Sequence, residues 1–299
     1  MSVVQWYPGH MTRAKRNIQE DVKLCDVIIE IIDARIPKSS ENPDIKKITK
    51  GKNRVILLNK SDLADPAVTD LWIKKFRQEG AEAIAMDGRS RDALSAFKQS
   101  MNRISAEKRE RDKKRGIICE RPVRAMVCGI PNVGKSTLIN TLTGKVTVKT
   151  GNKPGVTRGD QWITTKSGMM LLDTPGVLWP KFEDQKVGYN LAATGSINDD
   201  ILDKNEIAVF IINRLLKDYP GILENRYGFT TEEAKEEEKN IPDIPGIDRK
   251  ALSVLNLTAY KKHCIKKGGE PDTDRASKLI IDDLRAGRLS RISLERPRD

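Results

Sequence analysis

Short apolar runs rich in β-branched residues recur along the first part of the chain: Val27 to Ile32 (VIIEII), Arg54 to Leu58 (RVILL) and Val123 to Cys128 (VRAMVC). A polar or glycine-containing loop follows each of them. Between the runs, residues 65–79 and 91–110 carry apolar positions at helical spacing. Strands alternating with helical patterns predict an α/β fold built on a parallel sheet. Ligands of such sheets sit beyond the carboxyl ends of the strands, so chemistry is to be sought in the loops that follow them.

The pattern changes twice. Residues 107–124 hold eight Lys or Arg and four Asp or Glu, which reads as a helix end running into a solvated linker. Thr230 to Asn240 (TTEEAKEEEKN) is an acidic run, followed by Pro242 and Pro245, and reads as a domain boundary. Beyond it, Ala251 to Lys262 and Arg275 to Arg285 have helical spacing. Residues 249–299 hold 13 Lys/Arg and 7 Asp/Glu, a net of +6, half of the +12 of the whole chain. The expected organisation is a basic N-terminal arm or helix (1–26), an α/β domain (27–225) and a small all-helical basic domain (226–299).

That charge points to a polyanionic partner, since basic surfaces displace counterions from phosphate backbones. A generally basic, soluble protein is the plainer alternative. No apolar run is long enough to span a bilayer. The segment MSVVQWYPGHMTRAK lacks the apolar stretch of a secretory signal. The four cysteines, Cys25, Cys119, Cys128 and Cys264, form no CxxC pair, so reduced thiols in a cytoplasmic protein are expected.

Gly129 to Thr137 (GIPNVGKST), directly after VRAMVC, fits G-x-x-x-x-G-K-[ST]. Glycines let backbone amides curl around phosphate oxygens, and the following helix turns its positive end toward them. Lys135 would reach the β- and γ-phosphates and Ser136 would ligate magnesium. Val133, Gly134 and Thr137 complete the cradle. Asn59 to Asp62 (NKSD) follows RVILL. The Asp62 carboxylate can accept from guanine N1 and N2, whereas adenine would leave it unpaired. Lys60 can lay its methylenes along the base, Ser61 completes the loop, and Asn59 can tie it to the phosphate loop. Alone, four such letters also describe an ordinary turn; beside a phosphate loop they favour GTP and GDP over ATP. Asp173 to Gly176 (DTPG) follows an apolar run, with Asp173 placed for magnesium and the Gly176 amide for the γ-phosphate. Pro154 to Arg158 (PGVTR) lies between these motifs. Its Thr157 is the second hydroxyl expected on magnesium, in a loop ordered by the γ-phosphate. The order is unusual: NKSD precedes the phosphate loop, where a guanine motif ordinarily comes last. A site can survive such a circular permutation when the chain is cut at surface loops.

These segments, together with YPGHM (Tyr7 to Met11), DARIP (Asp33 to Pro37), LLDTPGVLWPKF (Leu171 to Phe182) and the tail RASKLIIDDLRAGRLSRISLE, resemble the YlqF/RbgA family of circularly permuted ribosome-assembly GTPases. The resemblance covers nearly the whole chain. It implies a P-loop GTPase fold with a parallel-rich sheet and helices on both faces, followed by a helical RNA-binding domain. It implies maturation of the bacterial large ribosomal subunit through binding of its ribosomal RNA, with a late step expected; a monomer with no membrane partner is expected as well. Arg13, Lys15, Arg16, Lys261, Lys262, Lys266 and Lys267 are the expected RNA contacts. One departure is visible: the base-contacting loop after the third strand reads AMDGRS, with Asp87 and Gly88 where the family carries a serine.

Hydrolysis needs neutralised charge and a positioned water. Many GTPases place a glutamine just after DxxG; here Val177 stands there, followed by Leu178 and Trp179. Asn132 resembles the asparagine that coordinates potassium in cation-dependent GTPases. His10 either orients or deprotonates water, contacts RNA, or packs. His263 reads as RNA-facing or solvated. Two functions remain open: a GTPase stimulated by the ribosomal particle, or an RNA-binding chaperone that senses GTP with negligible hydrolysis of its own.

Overall fold

The β-branched runs become strands because their stiff side chains lose little freedom on a pleated surface and pack well there. The computed structural model describes residues 9–87, 91–117, 121–144, 161–179, 184–198 and 201–297. In chain order these form α1 (Gly9–Leu24), β1 (Val27–Asp33), α2 (Pro37–Ser40), α3 (Pro43–Ile48), β2 (Asn53–Asn59), α4 (Pro66–Gln78), β3 (Glu82–Met86), α5 (Arg91–Lys114), β4 (Arg124–Cys128), α6 (Lys135–Thr143), β5 (Gln161–Thr164), β6 (Met170–Asp173), α7 (Gln185–Ala193), α8 (Lys204–Asp218), α9 (Ile222–Tyr227), α10 (Thr231–Asn240), α11 (Arg249–Lys261) and α12 (Thr273–Arg285). Two compact units result: Met1–Glu183 with Glu295–Asp299, and Asp184–Leu294.

The first unit holds a six-stranded sheet of order β3-β2-β1-β4-β6-β5, parallel except for β5 against β6. The chain leaves the centre twice, through β1, β2 and β3 to one edge, and then from β4 to β5 at the other edge and back to β6 between them. The reversal between β1 and β4 is a topological switch point, where sheets of this kind bind ligands. NKSD follows β2 and the phosphate loop follows β4, on either side of β1. Circular permutation thus changes the order of the motifs along the chain without separating them in the sheet.

All seven residues of β1 are buried, which requires cover on both faces of the sheet. α4 starts with Pro66 and is capped by Asp65, which accepts from the Ala67 and Val68 amides. It packs Val68, Trp72 and Phe76 against Ile32, Ile56, Leu58 and Ala83. α1 packs Ile18 and Val22 against Ile28, Met126, Cys128 and Leu172. The N-terminal basic segment is therefore, from Gly9 onward, a helix whose apolar side belongs to the core of the sheet. Cys25, Cys128 and Cys264 are free and buried, and burial pushes the Cys25 thiol up to about 12.

Glu295 also belongs to this unit. Its carboxylate accepts the backbone amides of Lys38 (2.7 Å) and Ser39 (3.0 Å) and the Ser39 hydroxyl. Its backbone carbonyl accepts Trp72 Nε1 at 3.2 Å. The residue preceding α2, Ile36, makes no side-chain cap, so Glu295 supplies the acceptor from 256 residues away.

The second unit is helical. The expected boundary at 225/226 falls inside α9, and the acidic run expected to break the chain is α10. Thr230 and Glu233 close a capping box at its start, with Thr230 Oγ1 accepting the Glu233 amide and Glu233 accepting the Thr230 amide. The acidic residues face a helix instead of a linker: Lys261 of α11 pairs with Glu233 at 2.8 Å and Asn256 donates to Glu237 at 2.9 Å. Asp283 of α12 is buried and held by Arg226 (2.7 Å), Arg288 (2.5 Å) and the Tyr227 hydroxyl (3.3 Å). Among the described residues no helix is long and apolar enough to cross a membrane.

Replacing Glu295 by alanine leaves two amides at the start of α2 without their acceptor, a loss of about 1–3 kcal/mol. The melting temperature of the sheet unit is expected to fall by a few degrees, on the order of 2–4 °C per kcal/mol. An unchanged melting curve would show that water replaces the carboxylate without cost.

Candidate nucleotide site

The loop after β4 is shaped by close backbone approaches. Gly129 has φ +146°, and a Cβ there would lie 2.4 Å from the Ile31 carbonyl oxygen. Gly134 has φ +101°, and a Cβ there would meet Asn59 Nδ2 at 2.3 Å. Any larger residue at either place would force the loop away from β1 or β2. Asn132 occupies the left-handed region (φ +59°), which asparagine tolerates better than most side chains. Ile130 and Val133 are buried and anchor the loop, while Ser136 and Thr137 in the first turn of α6 are half-buried and exposed. The first amides of that helix make an anion-binding end.

Lys135 lies within its own loop, 7% exposed, its Nζ donating to the carbonyls of Gly129 (3.1 Å) and Ile130 (2.8 Å). Burial pushes its ammonium down to about 8, with the Asp173 carboxylate opposing the shift. Asp173 ends β6, opposite Val127 in the register with β4, and is 1% exposed. Thr174 donates through Oγ1 to the Val127 carbonyl at 2.8 Å, fixing the start of DTPG beside the phosphate loop. A Cβ on Gly176 would stand 2.9 Å from Lys135 Nζ and 3.0 Å from Pro131 Cα. DTPG and the phosphate loop are therefore in contact, and a side chain at Gly176 would require Pro131 and Lys135 to give way.

The NKSD loop joins from the other side of β1. Asn59 Nδ2 donates to the Val133 carbonyl at 2.7 Å, the tie expected from the sequence. The Ser61 amide bonds the Met86 carbonyl at 3.1 Å, holding the loop to the end of β3, where Asp87 is half-buried. Lys60 has φ +58°, and its Nζ meets Asp33 Oδ2 at 2.9 Å. Asp33 in turn receives Arg35 through Nε (2.9 Å), Nη2 (2.7 Å) and the backbone amide (3.0 Å). Asp62 is half-buried. The motifs assign no role to Asp33 and Arg35; their place at the end of a buried strand and in the residues directly after it is the signal the sequence offers.

Val177 is 4% exposed and packed with Ile18, Val22, Met126 and Leu172. Its carbonyl accepts Asn42 Nδ2 at 2.7 Å. The position after DTPG thus contributes neither a polar side chain nor an exposed one.

Gly88 and Thr157 lie outside the described residues. His10, Arg13 and Lys15 lie on α1, with side chains outside the described residues. Arg16 on the same helix is exposed. Lys261 ends α11, Lys262 caps it, and Lys266 and Lys267 follow in the next loop, all exposed, with Lys261 engaged by Glu233. His263 is exposed and left-handed (φ +55°).

A phosphate loop on one parallel strand, bonded through an asparagine to an N-K-x-D loop on another, defines a P-loop GTPase. A family model described as "50S ribosome-binding GTPase" matches residues 124–256. The chain is 40% identical to ribosome biogenesis GTPase A of Priestia megaterium, over 98% of this chain and 97% of that protein. It is similar to a GDP-bound structure of TM YlqF (TM-score 0.62, 26% identity, covering 95% of this chain and 100% of that one). A GNP-bound crystal structure of YlqF from T. maritima matches with a TM-score of 0.61 and 26% identity, covering 96% and 99%. The chain belongs to the ribosome biogenesis GTPase A family. It is a GTP-hydrolysing enzyme that binds guanine nucleotides.

Phosphates brought beside Lys135 raise its affinity for a proton, so nucleotide binding near pH 8 takes up about half a proton, and affinity weakens as pH rises further. Calorimetry in two buffers of different ionisation heat measures the uptake. It is expected in the wild type and lost in Lys135→Ala; buffer-independent heats in the wild type would place the ammonium elsewhere.

Proposed function

We propose that this protein is a slow GTPase which hydrolyses GTP on the precursor of the large ribosomal subunit and promotes its late maturation in the bacterial cytoplasm, acting as a monomer. The observation that carries this reading is the Asn59–Val133 bond, which joins a base-reading loop to a phosphate loop in one site. Asp62 accepts from guanine N1 and N2, with Asn59, Lys60, Ser61, Asp87 and Gly88 around the base. Val133, Gly134, Lys135, Ser136 and Thr137 surround the phosphates, and Gly176 faces the γ-phosphate.

Magnesium fits the residues present. Ser136, at the start of α6, and the buried Asp173 offer the oxygen donors that a hard cation prefers. We assign Thr157 as the third protein group. Such an ion would neutralise charge on the phosphates. Lys135 supplies a second positive charge, and the α6 amides add fixed dipoles. Asn132 is assigned to a potassium ion, in keeping with its left-handed place inside the loop.

Water remains to be positioned. Val177 cannot do so, being apolar and buried. Turnover by the protein alone is therefore slow, with His10 or a ribosomal group completing the site. A positioned acid or base contributes on the order of 10²-fold or more, so large-subunit particles are expected to stimulate turnover on that scale. The assay compares GTP hydrolysis with and without particles, in potassium and in sodium. Equal rates with and without particles sink the stimulated-switch reading, and equal rates in both salts remove the potassium assignment.

RNA contacts are assigned to Arg13, Lys15, Arg16, Lys261, Lys262, Lys266 and Lys267. The exposed Lys262, Lys266 and Lys267, on a helix end and the loop after it, carry this assignment on the helical unit. Each phosphate contact contributes roughly 0.7–0.9 to the slope of log affinity against log salt. Reversing these three lysines to glutamate is expected to flatten the slope for particle binding by about two units, with the melting temperature preserved. An unchanged slope removes this loop from the RNA interface.

A further inference from the structure

The motif DARIP sits beside the base-reading loop, yet none of its residues belongs to the phosphate or guanine machinery described above. Asp33 is the last residue of β1, opposite Asn59 in the register with β2, and the Ala34 amide donates to the Asn59 carbonyl at 2.8 Å. Its carboxylate is fully buried. Oδ1 accepts the Arg35 amide and Arg35 Nε; Oδ2 accepts Arg35 Nη2 and Lys60 Nζ. The Asp33 amide is itself fixed by Ser40 Oγ at 3.0 Å. Arg35 is 2% exposed, so the pair is a rigid element of the core rather than a surface bridge. Burial works against the charge on Asp33, but Arg35 and Lys60 outweigh it and hold the carboxyl well below the usual range. Arg35 also feels the Asp62 carboxylate.

Lys60 has an independent reason to need a partner. A side chain longer than glycine in the left-handed region carries a conformational cost. The ion pair with Asp33 offsets that cost and ties the ammonium at one point, so the methylene stem has a fixed course out of the NKSD loop. An unanchored lysine would spread over many rotamers.

We propose that Asp33, clamped by Arg35, is a positioning residue for guanine recognition: it anchors the Lys60 ammonium and thereby sets the NKSD loop, with Asp62, in its base-reading geometry. This inference rests on the reading of Asp62 as the guanine acceptor. Asp33 acts through Lys60 and Arg35, the side chains that its carboxylate holds.

The test uses the full chain and measures affinities for GDP, IDP and XDP. IDP lacks the exocyclic amine at C2, so the GDP-to-IDP ratio reports the placement of Asp62. Asp33→Asn is expected to lose GDP affinity by about tenfold or more, the scale of a lost charge-assisted hydrogen bond, with the GDP-to-IDP ratio falling toward one. The rate of hydrolysis at saturating GTP should stay within about twofold, because the phosphate groups are untouched. In a double-mutant cycle, adding Lys60→Met to Asp33→Asn should cost little more than either alone. If Asp33→Asn does not fold, Arg35→Lys, which keeps the charge but loses the fork, carries the same measurement, and Lys60→Met repeats its GDP-to-IDP ratio. A folded variant with unchanged GDP affinity, equal losses for GDP and IDP, or additive effects of the two substitutions overturns the inference. Asp62→Asn serves as the control and should gain XDP, since its amide donates to the xanthine C2 carbonyl. Failure of that control sinks the base-reading assignment and the inference with it; success of the control with failure at Asp33 sinks the inference alone.

Discussion

The hydrogen bond from Asn59 to the Val133 carbonyl is the constraint on which the nucleotide site depends. It joins the loop after β2 to the loop after β4 across the central strand, at 2.7 Å. The bond exists because Gly134 has no side chain, since a Cβ there would occupy the place of the Asn59 amide. Gly129 makes the matching approach to β1, against the Ile31 carbonyl. With both loops held to strands in fixed parallel register, the spacing between phosphate and base recognition becomes a property of the sheet. Such a link is indifferent to the order in which the chain visits the strands, which is why a permuted chain can build it.

Several buried carboxylates among the described residues are met by cationic side chains. Glu30, within the fully buried β1, is paired with Arg54, which also reaches Glu41. Asp33 has two cationic side chains and Asp283 has two as well. Removing one partner from such a cluster strands the remaining charge in a poor solvent, so these groups define geometry more than they add net stability. At Asp33 that rigidity falls beside the guanine loop. At Asp283 it organises the helical unit, where Arg226 of α9 and Arg288 after α12 converge on one carboxylate.

Beside the phosphate loop, Lys135 and Asp173 are buried, and Val177 is withdrawn into an apolar cluster shared with Ile18 and Val22 of α1. The helix whose first turn carries His10 is thereby attached to the segment that follows DTPG. A change in either would be felt by the other through this packing.

Much of this was determined by the sequence alone. The apolar runs and their β-branched content marked β1, β2 and β4, the spacing of apolar residues marked α4, α5, α11 and α12, and the motifs NKSD, GIPNVGKST and DTPG marked loops that the sheet brings together, in permuted order. These signals are local: periodicity and turn chemistry act over a few residues and survive without knowledge of the fold. The tertiary structure decided what depends on register and distance. Asp33 meets Lys60 because parallel pairing sets it opposite Asn59, and Glu295 caps α2 from 256 residues away. The acidic run at 230–240 reads as a break because charge alone does not reveal a neighbour; it is a capped helix whose carboxylates meet Lys261 and Asn256 of α11. Local pattern specifies which elements form, but which side chains meet is settled only when strands and helices pack, because contact between distant residues has no periodic trace in the chain.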